Sequence, residues 1–316
     1  MNKQRIVIIG GPTASGKSAL AVALAQKLNG VVINADSMQV YDALPRLSAQ
    51  PDADDQAGIP HHLYAAMAPS DICSAQIWRK MALEEIAKAA SDGKTPVIVG
   101  GTGFYMKALT DGMSPMPDVP VAVRNRAIMI IRSEGLAALQ ADLARRDPVM
   151  AARLHMNDTQ RITRAWEVIE ATGKSLAEWQ SAPAEPPPAH LTFDFIALTP
   201  PRDWLRERCA LRFHHMMDRG VMDEVAQLQD QIDAGTVAET APITNALGFR
   251  PLRALMRGRL PRDIAIERSI NETRQYAKRQ DTWFRHQIAA TGAVRALHRL
   301  DMPDANHLPA SFWDAP

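Results

Sequence analysis

At 316 residues, 46% apolar and 22% charged, the chain can bury a large core, which excludes a disordered polypeptide. A formal net charge of +1 excludes a generally basic nucleic-acid binder, so any RNA surface has to come from local clustering. Two distant cysteines, Cys73 and Cys209, exclude a disulfide framework, and without an apolar run of about 18 residues or a leader-like start the chain is expected to be soluble and cytoplasmic with no membrane contact.

Residues 6–9 read as a short apolar strand. It runs into Gly11, Pro12, Thr13, Ala14, Ser15, Gly16, Lys17 and Ser18, and then into a helical period over 19–28. This is the Gly-x-x-x-x-Gly-Lys-Ser phosphate loop in its strand–loop–helix context. Gly11 and Gly16 let the backbone turn tightly, so that amides gather as an anion nest at the start of the helix. Lys17 adds a mobile charge for terminal phosphate oxygens, and the Ser18 hydroxyl is the candidate Mg2+ ligand. The loop predicts a bound di- or triphosphate, ATP among the possibilities, and leaves its use open.

Residues 31–36 read as a second strand ending in Asp36, an acid placed to hold Mg2+ through water, to act as a base, or to cap a turn. Ser37, Met38 and Gln39 follow. The Gln39 amide suits a nucleobase edge or a solvated turn equally. Gly58 to Leu63 reads as a structural turn, because adjacent His61 and His62 point different ways and no Cys or Glu is spaced to complete a metal site. A helix is expected over 74–90 with Ile77, Met81 and Ile86 on one side. A third buried strand spans 95–101, followed by a helix through Tyr105 and Leu109. Between them, Gly100, Gly101, Thr102 and Gly103 resemble a second small anion nest, or a tight turn, with the Thr102 hydroxyl free to donate to a phosphate oxygen. Alternating strands and helices imply a parallel sheet. The three loops lie at C-terminal strand ends and converge on one crevice.

Residues 113–120 form a proline-rich break, 121–181 are helical throughout, and 182–189 form a second break. Another strand is expected over 192–198, then helices from 202 with a break at Gly248, and a loose tail after 301. The expected organisation is an α/β core beginning at 1–117, a helical insertion at 118–190, the rest of the core at 191–300 and a tail at 301–316, with no internal repeat. Asn157 or Asp158 can cap a helix that carries Arg161 and Arg164 on one face. These arginines suit RNA phosphates or pairing with Glu167 and Glu170. Between 259 and 299, nine Lys and Arg face four acids. Arg274, Lys278 and Arg285 share one helical face suited to phosphates, while Trp283 and Phe284 read as core.

The ordered set resembles the bacterial tRNA dimethylallyltransferases, also called tRNA isopentenyltransferases. It comprises residues 11–18, Asp36 to Tyr41, Gly58 to Leu63, Gly100 to Tyr105, Asn157 to Arg164 and Thr273 to Gln280, and the likeness spans roughly residues 5–287. The resemblance implies a phosphate-loop NTPase-like parallel sheet with a helical insertion and a helical C-terminal part. It implies a monomer that moves a dimethylallyl group from dimethylallyl diphosphate to N6 of adenosine 37 in tRNAs reading codons that begin with U. Residues 11–18 and Arg212 would hold the prenyl diphosphate with Mg2+, Asp36 would take the N6 proton, and Thr102 would touch both the diphosphate and the reacting centre. Contacts to tRNA would come from Asp36, Ser37, Met38, Gln39, Thr102, Arg124, Gln160, Arg161, Ile162, Thr163, Arg164, Gly248, Phe249, Arg250, Lys278 and Arg279. The chain departs from the family at Phe249, where a tyrosine is usual, and at Gln50, where a lysine is usual. It also lacks the Cys/His-rich extension of some eukaryotic members. The rival readings are a nucleoside or metabolite kinase using ATP, a prenyltransferase acting on free AMP or ADP, and a non-catalytic RNA-binding module. The first and last leave, respectively, the insertion and the Lys17–Asp36 pair without a purpose, and the second needs no tRNA grip.

Overall fold

The computed structural model describes residues 3–313. It divides into two compact units, Met1–Asp111 with Pro187–Pro316, and Gly112–Pro186.

The first unit is built on a six-stranded sheet of β1 (Gln4–Gly10), β2 (Gly30–Asn34), β3 (His61–His62), β4 (Thr95–Gly100), β5 (Leu191–Leu198) and β6 (Val294–Leu300). The spatial order is β3-β2-β4-β1-β5-β6, and every pairing is parallel. Ile6, Val7, Ile8 and Ile9 of central β1 are wholly buried, because helices cover both sheet faces and no alternation with polar residues is needed. Val7 and Ile9 pack with Leu20, Ala21 and Leu24 of the Lys17–Lys27 helix.

Four sequence expectations need correction. The His61–His62 pair forms a short parallel edge strand against Val32 and Ile33 rather than a turn, and His62 faces Glu85 at 2.9 Å. The Ala75–Ser91 helix buries Trp78, Ala82, Ile86 and Ala89 and leaves Ile77 42% exposed. The helix is turned this way because the Trp78 ring stacks on Tyr105 and its indole N–H donates to the Asn34 carbonyl at 2.8 Å. The strand β6 was not anticipated, since Arg295, His298 and Arg299 break its apolar pattern at the sheet edge. Nor is the segment after 301 loose. Ala305, Leu308 and Phe312 are buried in the cluster that holds Leu20 and Leu24, and the Arg5 guanidinium donates to the Phe312 carbonyl. The last three positions of that expected tail lie outside the described residues.

The second unit consists of the helices Val121–Glu134, Leu136–Arg146, Pro148–Arg153, Thr159–Thr172 and Leu176–Ser181. Its own core includes Leu139, Leu143, Ile162, Ala165 and Trp166. An antiparallel bridge between Met113 and Glu185 joins the two proline-rich segments, so the unit starts at Gly112 and ends at Pro186 rather than at 118 and 190. Among the described residues, no helix is long and apolar enough to cross a membrane.

Candidate functional site

At the C-terminal edge of the sheet a cavity of about 570 Å³ is lined by residues 13–19, Asp36, Gln39, Gly100, Gly101 and Arg212. The phosphate loop leaves β1 and turns through Ala14 and Gly16, both in the left-handed region (φ 63° and 84°). Gly16 has a second reason to lack a side chain, because a Cβ there would come within 2.6 Å of Pro303. It precedes the Lys17–Lys27 helix without any side-chain cap, so the first amides of that helix are left for a ligand. The Ser15 hydroxyl is buried and has no hydrogen-bond partner among the described residues, a polar atom waiting for an acceptor or donor.

Two cations converge on this loop. The Lys17 ammonium donates to the Pro12 carbonyl at 2.6 Å. The Arg212 guanidinium, from the Arg202–Asp218 helix, donates to the Thr13 hydroxyl at 2.6 Å. Burial pushes Lys17 down to about 7, with Asp36 pulling it back up and Arg212 adding to the depression. Burial likewise lowers Arg212. Among the described residues these two recessed cations hydrogen-bond to a carbonyl and a hydroxyl and share Asp36 as a nearby opposite charge, an arrangement that suits an anionic ligand.

Across the cavity, Asp36 is held by its neighbours. Buried Asn34 accepts from the Asp36 amide at 2.9 Å and donates to the Asp36 carbonyl at 3.2 Å and the Leu63 carbonyl at 3.0 Å. One Asp36 carboxylate oxygen accepts from the Met38 amide at 2.9 Å. The Thr102 hydroxyl accepts from the Ser37 amide at 2.9 Å and donates to the Ser37 hydroxyl at 3.3 Å, so it braces the Asp36 turn. The Gln39 side chain donates to the Ser48 and Ala49 carbonyls at 2.9 and 2.6 Å, which occupies the amide donors that a base edge would use. It fixes a loop that buried Glu224 holds from the other side by accepting the Arg46 and Leu47 amides at 2.9 and 3.2 Å. Gln50 donates to the Tyr41 carbonyl at 2.9 Å and lines a neighbouring cavity of about 500 Å³ instead of the phosphate cradle.

Several site residues carried no sequence signal. Tyr64, Arg208 and His215 line the cavity, and burial raises the Tyr64 phenol. Gln280 accepts from the Thr13 amide at 2.8 Å and donates to the Gly101 carbonyl at 2.8 Å. Its place in a motif was visible, but its partners could not be read from spacing.

The remaining expected contacts separate into surface and core. Lys278 and Arg279 are exposed on the Arg262–His286 helix. Arg274 donates to the Arg206 carbonyl, and Arg285 is tied to Asp281 and the Thr199 carbonyl. Phe284 is core as expected, while Trp283 is only partly buried and covers Gly103. Gly248 takes φ 86° and donates its amide to Glu272, and Arg250 is exposed beside Asn245. Phe249 and Ile162 are fully buried, each packed into a core beneath its neighbours, so any contact they make with RNA would run through the backbone. In the second unit Arg161 is 76% exposed and faces Asp158 at 3.5 Å, and Gln160 is exposed. Arg164 faces Glu167 at 3.8 Å near Arg124. Burial lowers Arg164 and raises Glu167. Glu170 is taken by Arg126 and Arg146 instead.

A Mg2+ ion shares its oxygen ligands between protein and phosphate. The Ser18 hydroxyl lines the cavity beside the cradle and is an oxygen donor of the kind this ion takes.

A family model for IPP transferases matches residues 39–287. The chain is 49% identical over 286 residues to a tRNA dimethylallyltransferase of Rhodospirillum centenum, covering 90% of each. Among solved structures, it resembles the full-length tRNA isopentenylpyrophosphate transferase of Bacillus halodurans with a TM-score of 0.62 and 30% identity, covering 94% of this chain and 90% of that one. It also resembles a eukaryotic dimethylallyltransferase captured acting on tRNA, with a TM-score of 0.69 and 29% identity over 89% of this chain and 69% of that one.

Proposed function

This chain belongs to the IPP transferase family, and from that premise we propose that it transfers a dimethylallyl group from dimethylallyl diphosphate to N6 of adenosine 37 in tRNAs that read codons beginning with U. The observation that carries this reading is the opposition, across one cavity, of an anion cradle with two under-paired cations and a braced carboxylate. A kinase can also pair an anion cradle with a carboxylate base, and it is membership of the IPP transferase family that turns the reading to alkylation of a weakly nucleophilic amine.

In the reaction the C–O bond to the diphosphate breaks and a C–N bond to N6 forms. The cradle amides, Lys17 and Arg212 take up the negative charge that grows on the leaving diphosphate. Ser18 would hold Mg2+, which would supply further neutralisation of that leaving group. Asp36 accepts the proton that N6 loses. Asn34 and Thr102 hold the Asp36 turn so that this carboxylate meets the base in one orientation. Reaching N6 requires the adenosine to leave its stack. Exposed Arg161, Lys278 and Arg279, with Arg124 and Arg164, are the backbone contacts of this reading, and it places the enzyme with tRNA in the cytoplasm.

The test is transfer to synthetic anticodon stem-loops that differ only at position 37. Adenosine should be modified in the presence of dimethylallyl diphosphate and Mg2+, with the mass increase located on its base. Guanosine at that position, or ATP in place of the donor, should give no product. Equal modification of adenosines elsewhere in the loop would remove the positional part of the reading.

A further inference from the structure

Buried Gln280 spans the site from behind. Its carbonyl accepts from the Thr13 amide and its amide donates to the Gly101 carbonyl, each at 2.8 Å. Those two partners also fix which end of the amide is which, since a backbone N–H must meet Oε1 and a carbonyl must meet Nε2. Thr13 carries Arg212 on its hydroxyl. Gly101 precedes Thr102, whose hydroxyl accepts the Ser37 amide next to Asp36. Gly101 itself lies between the two: a Cβ there would come within 2.2 Å of the Gln280 amide nitrogen and 3.3 Å of an Asp36 carboxylate oxygen. An unbroken chain of contacts thus runs from Arg212 through Thr13, Gln280, Gly101 and Thr102 to the Asp36 turn.

The same helical turn has a second face. Lys278 and Arg279 are exposed where Gln280 and Asp281 are buried, and Asp281 is locked by Arg285, which also holds the Thr199 carbonyl. Lys278 and Arg279 thus put a surface suited to a polyanion on the same helical turn from which Gln280 reaches both loops.

Resting on the prenyl-transfer reading, we infer that Gln280 is a positioning residue that couples the two substrates, so that RNA bound by this helix orders the phosphate loop for the donor, and donor bound in the loop orders the Asp36 turn for the base. Coupling of this kind is reciprocal and typically about 5- to 150-fold. Gln280 touches no reacting atom. Its loss breaks the link between the Thr13 and Gly101 loops.

The experiment measures the affinity of the thiolodiphosphate analogue of dimethylallyl diphosphate, which resists ionisation, with and without saturating anticodon stem-loop. In the wild-type protein the stem-loop should tighten analogue binding by about 5-fold or more. In Gln280→Leu the ratio should fall to about 1, even where loss of the Thr13 acceptor weakens donor binding measured alone. Gln280→Glu, nearly isosteric, keeps the acceptor for Thr13 and loses the donor to Gly101. It should also lose most of the coupling, and it carries the test if the leucine variant does not fold. A wild-type ratio near 1, a ratio unchanged in both variants, or weakened separate affinities with the ratio intact would each overturn the inference. Wild-type protein that transfers no prenyl group to the stem-loop would overturn the functional reading and this inference together, whereas transfer with an unchanged ratio overturns this inference alone.

Discussion

The Arg212 guanidinium holds the Thr13 hydroxyl at 2.6 Å, tying a helix to the phosphate loop from 199 residues away. This bond orients a cation toward the cradle. Arg212→Ala should raise the KM for dimethylallyl diphosphate and lower kcat by about 100-fold, the scale of losing one preorganised charge donor. Arg212→Lys should recover only part of that loss, because an ammonium lacks the planar fork that serves a hydroxyl and a phosphate at once. Steady-state kinetics on both variants checks this; equal kinetics for Arg212→Lys and wild type would remove the fork from the argument.

Lys17 gives a pH signature. Burial lowers it from 10.5 to about 7 in the free protein, and a bound diphosphate favours its charged form. Donor binding therefore takes up a proton above pH 7, and affinity should fall by up to about tenfold per pH unit there while staying level with respect to this group below it. Lys17→Arg remains charged and should not show the alkaline fall, so the difference between the two titrations isolates the group. The linkage to folding has the opposite sense: between about 7 and 10.5 the unfolded chain holds the proton that the folded chain has lost, so this group's contribution to stability improves as pH rises through that window. Accordingly, Lys17→Met should raise the Tm of the ligand-free protein at pH 7 while abolishing donor binding.

Asp36→Ala should reduce transfer by roughly 100- to 10,000-fold, the usual worth of a general base, and leave tRNA affinity nearly unchanged. Asn34→Ala keeps the carboxylate but removes the three bonds that orient its turn. It should lower kcat without raising the donor KM. Single-turnover rates separate these cases, and near-normal chemistry in Asp36→Ala would take this residue out of the mechanism.

Backbone contacts should reveal themselves in salt dependence. Neutralising exposed Arg161, Lys278 or Arg279 should weaken stem-loop binding and lower the slope of log affinity against log salt by about one each. Arg164, half-buried and facing Glu167, should contribute less to the slope. Gln39→Ala should leave the slope intact and slow transfer, now for the reason that its amide fixes the Ser48 and Ala49 carbonyls at the cavity wall. Binding isotherms across a salt series read the first set, and a transfer assay reads the last.

The phosphate loop, the strand ending near Asp36 and the parallel order of the sheet were legible because each rests on local spacing: a glycine pair, a Lys-Ser, an apolar run of fixed length. The helical insertion was legible from prolines at both of its ends, although the Met113–Glu185 bridge moves its edges. What escaped was held by long-range bonds. Gln280 belongs to a motif, but it is 267 residues from Thr13, and spacing says nothing of that partner. Asn34 and Glu224 stand in no recognisable spacing, and their roles rest on backbone partners that no motif of their own reveals. The polar edge strand β6 and the packed 301–313 segment lacked a periodic signal, because one is an edge and the other contributes only Ala305, Leu308 and Phe312 to the core.

The central claim is that the cradle and Asp36 together alkylate tRNA. The most direct measurement incubates the protein and Mg2+ with radiolabelled dimethylallyl diphosphate and, in parallel, with unmodified tRNA, AMP, or a nucleoside with ATP. The account expects label in tRNA alone, lost in Asp36→Ala and Lys17→Ala, with no ATP turnover. Label appearing in AMP but not in tRNA, or ATP hydrolysis stimulated by the nucleoside, would contradict it.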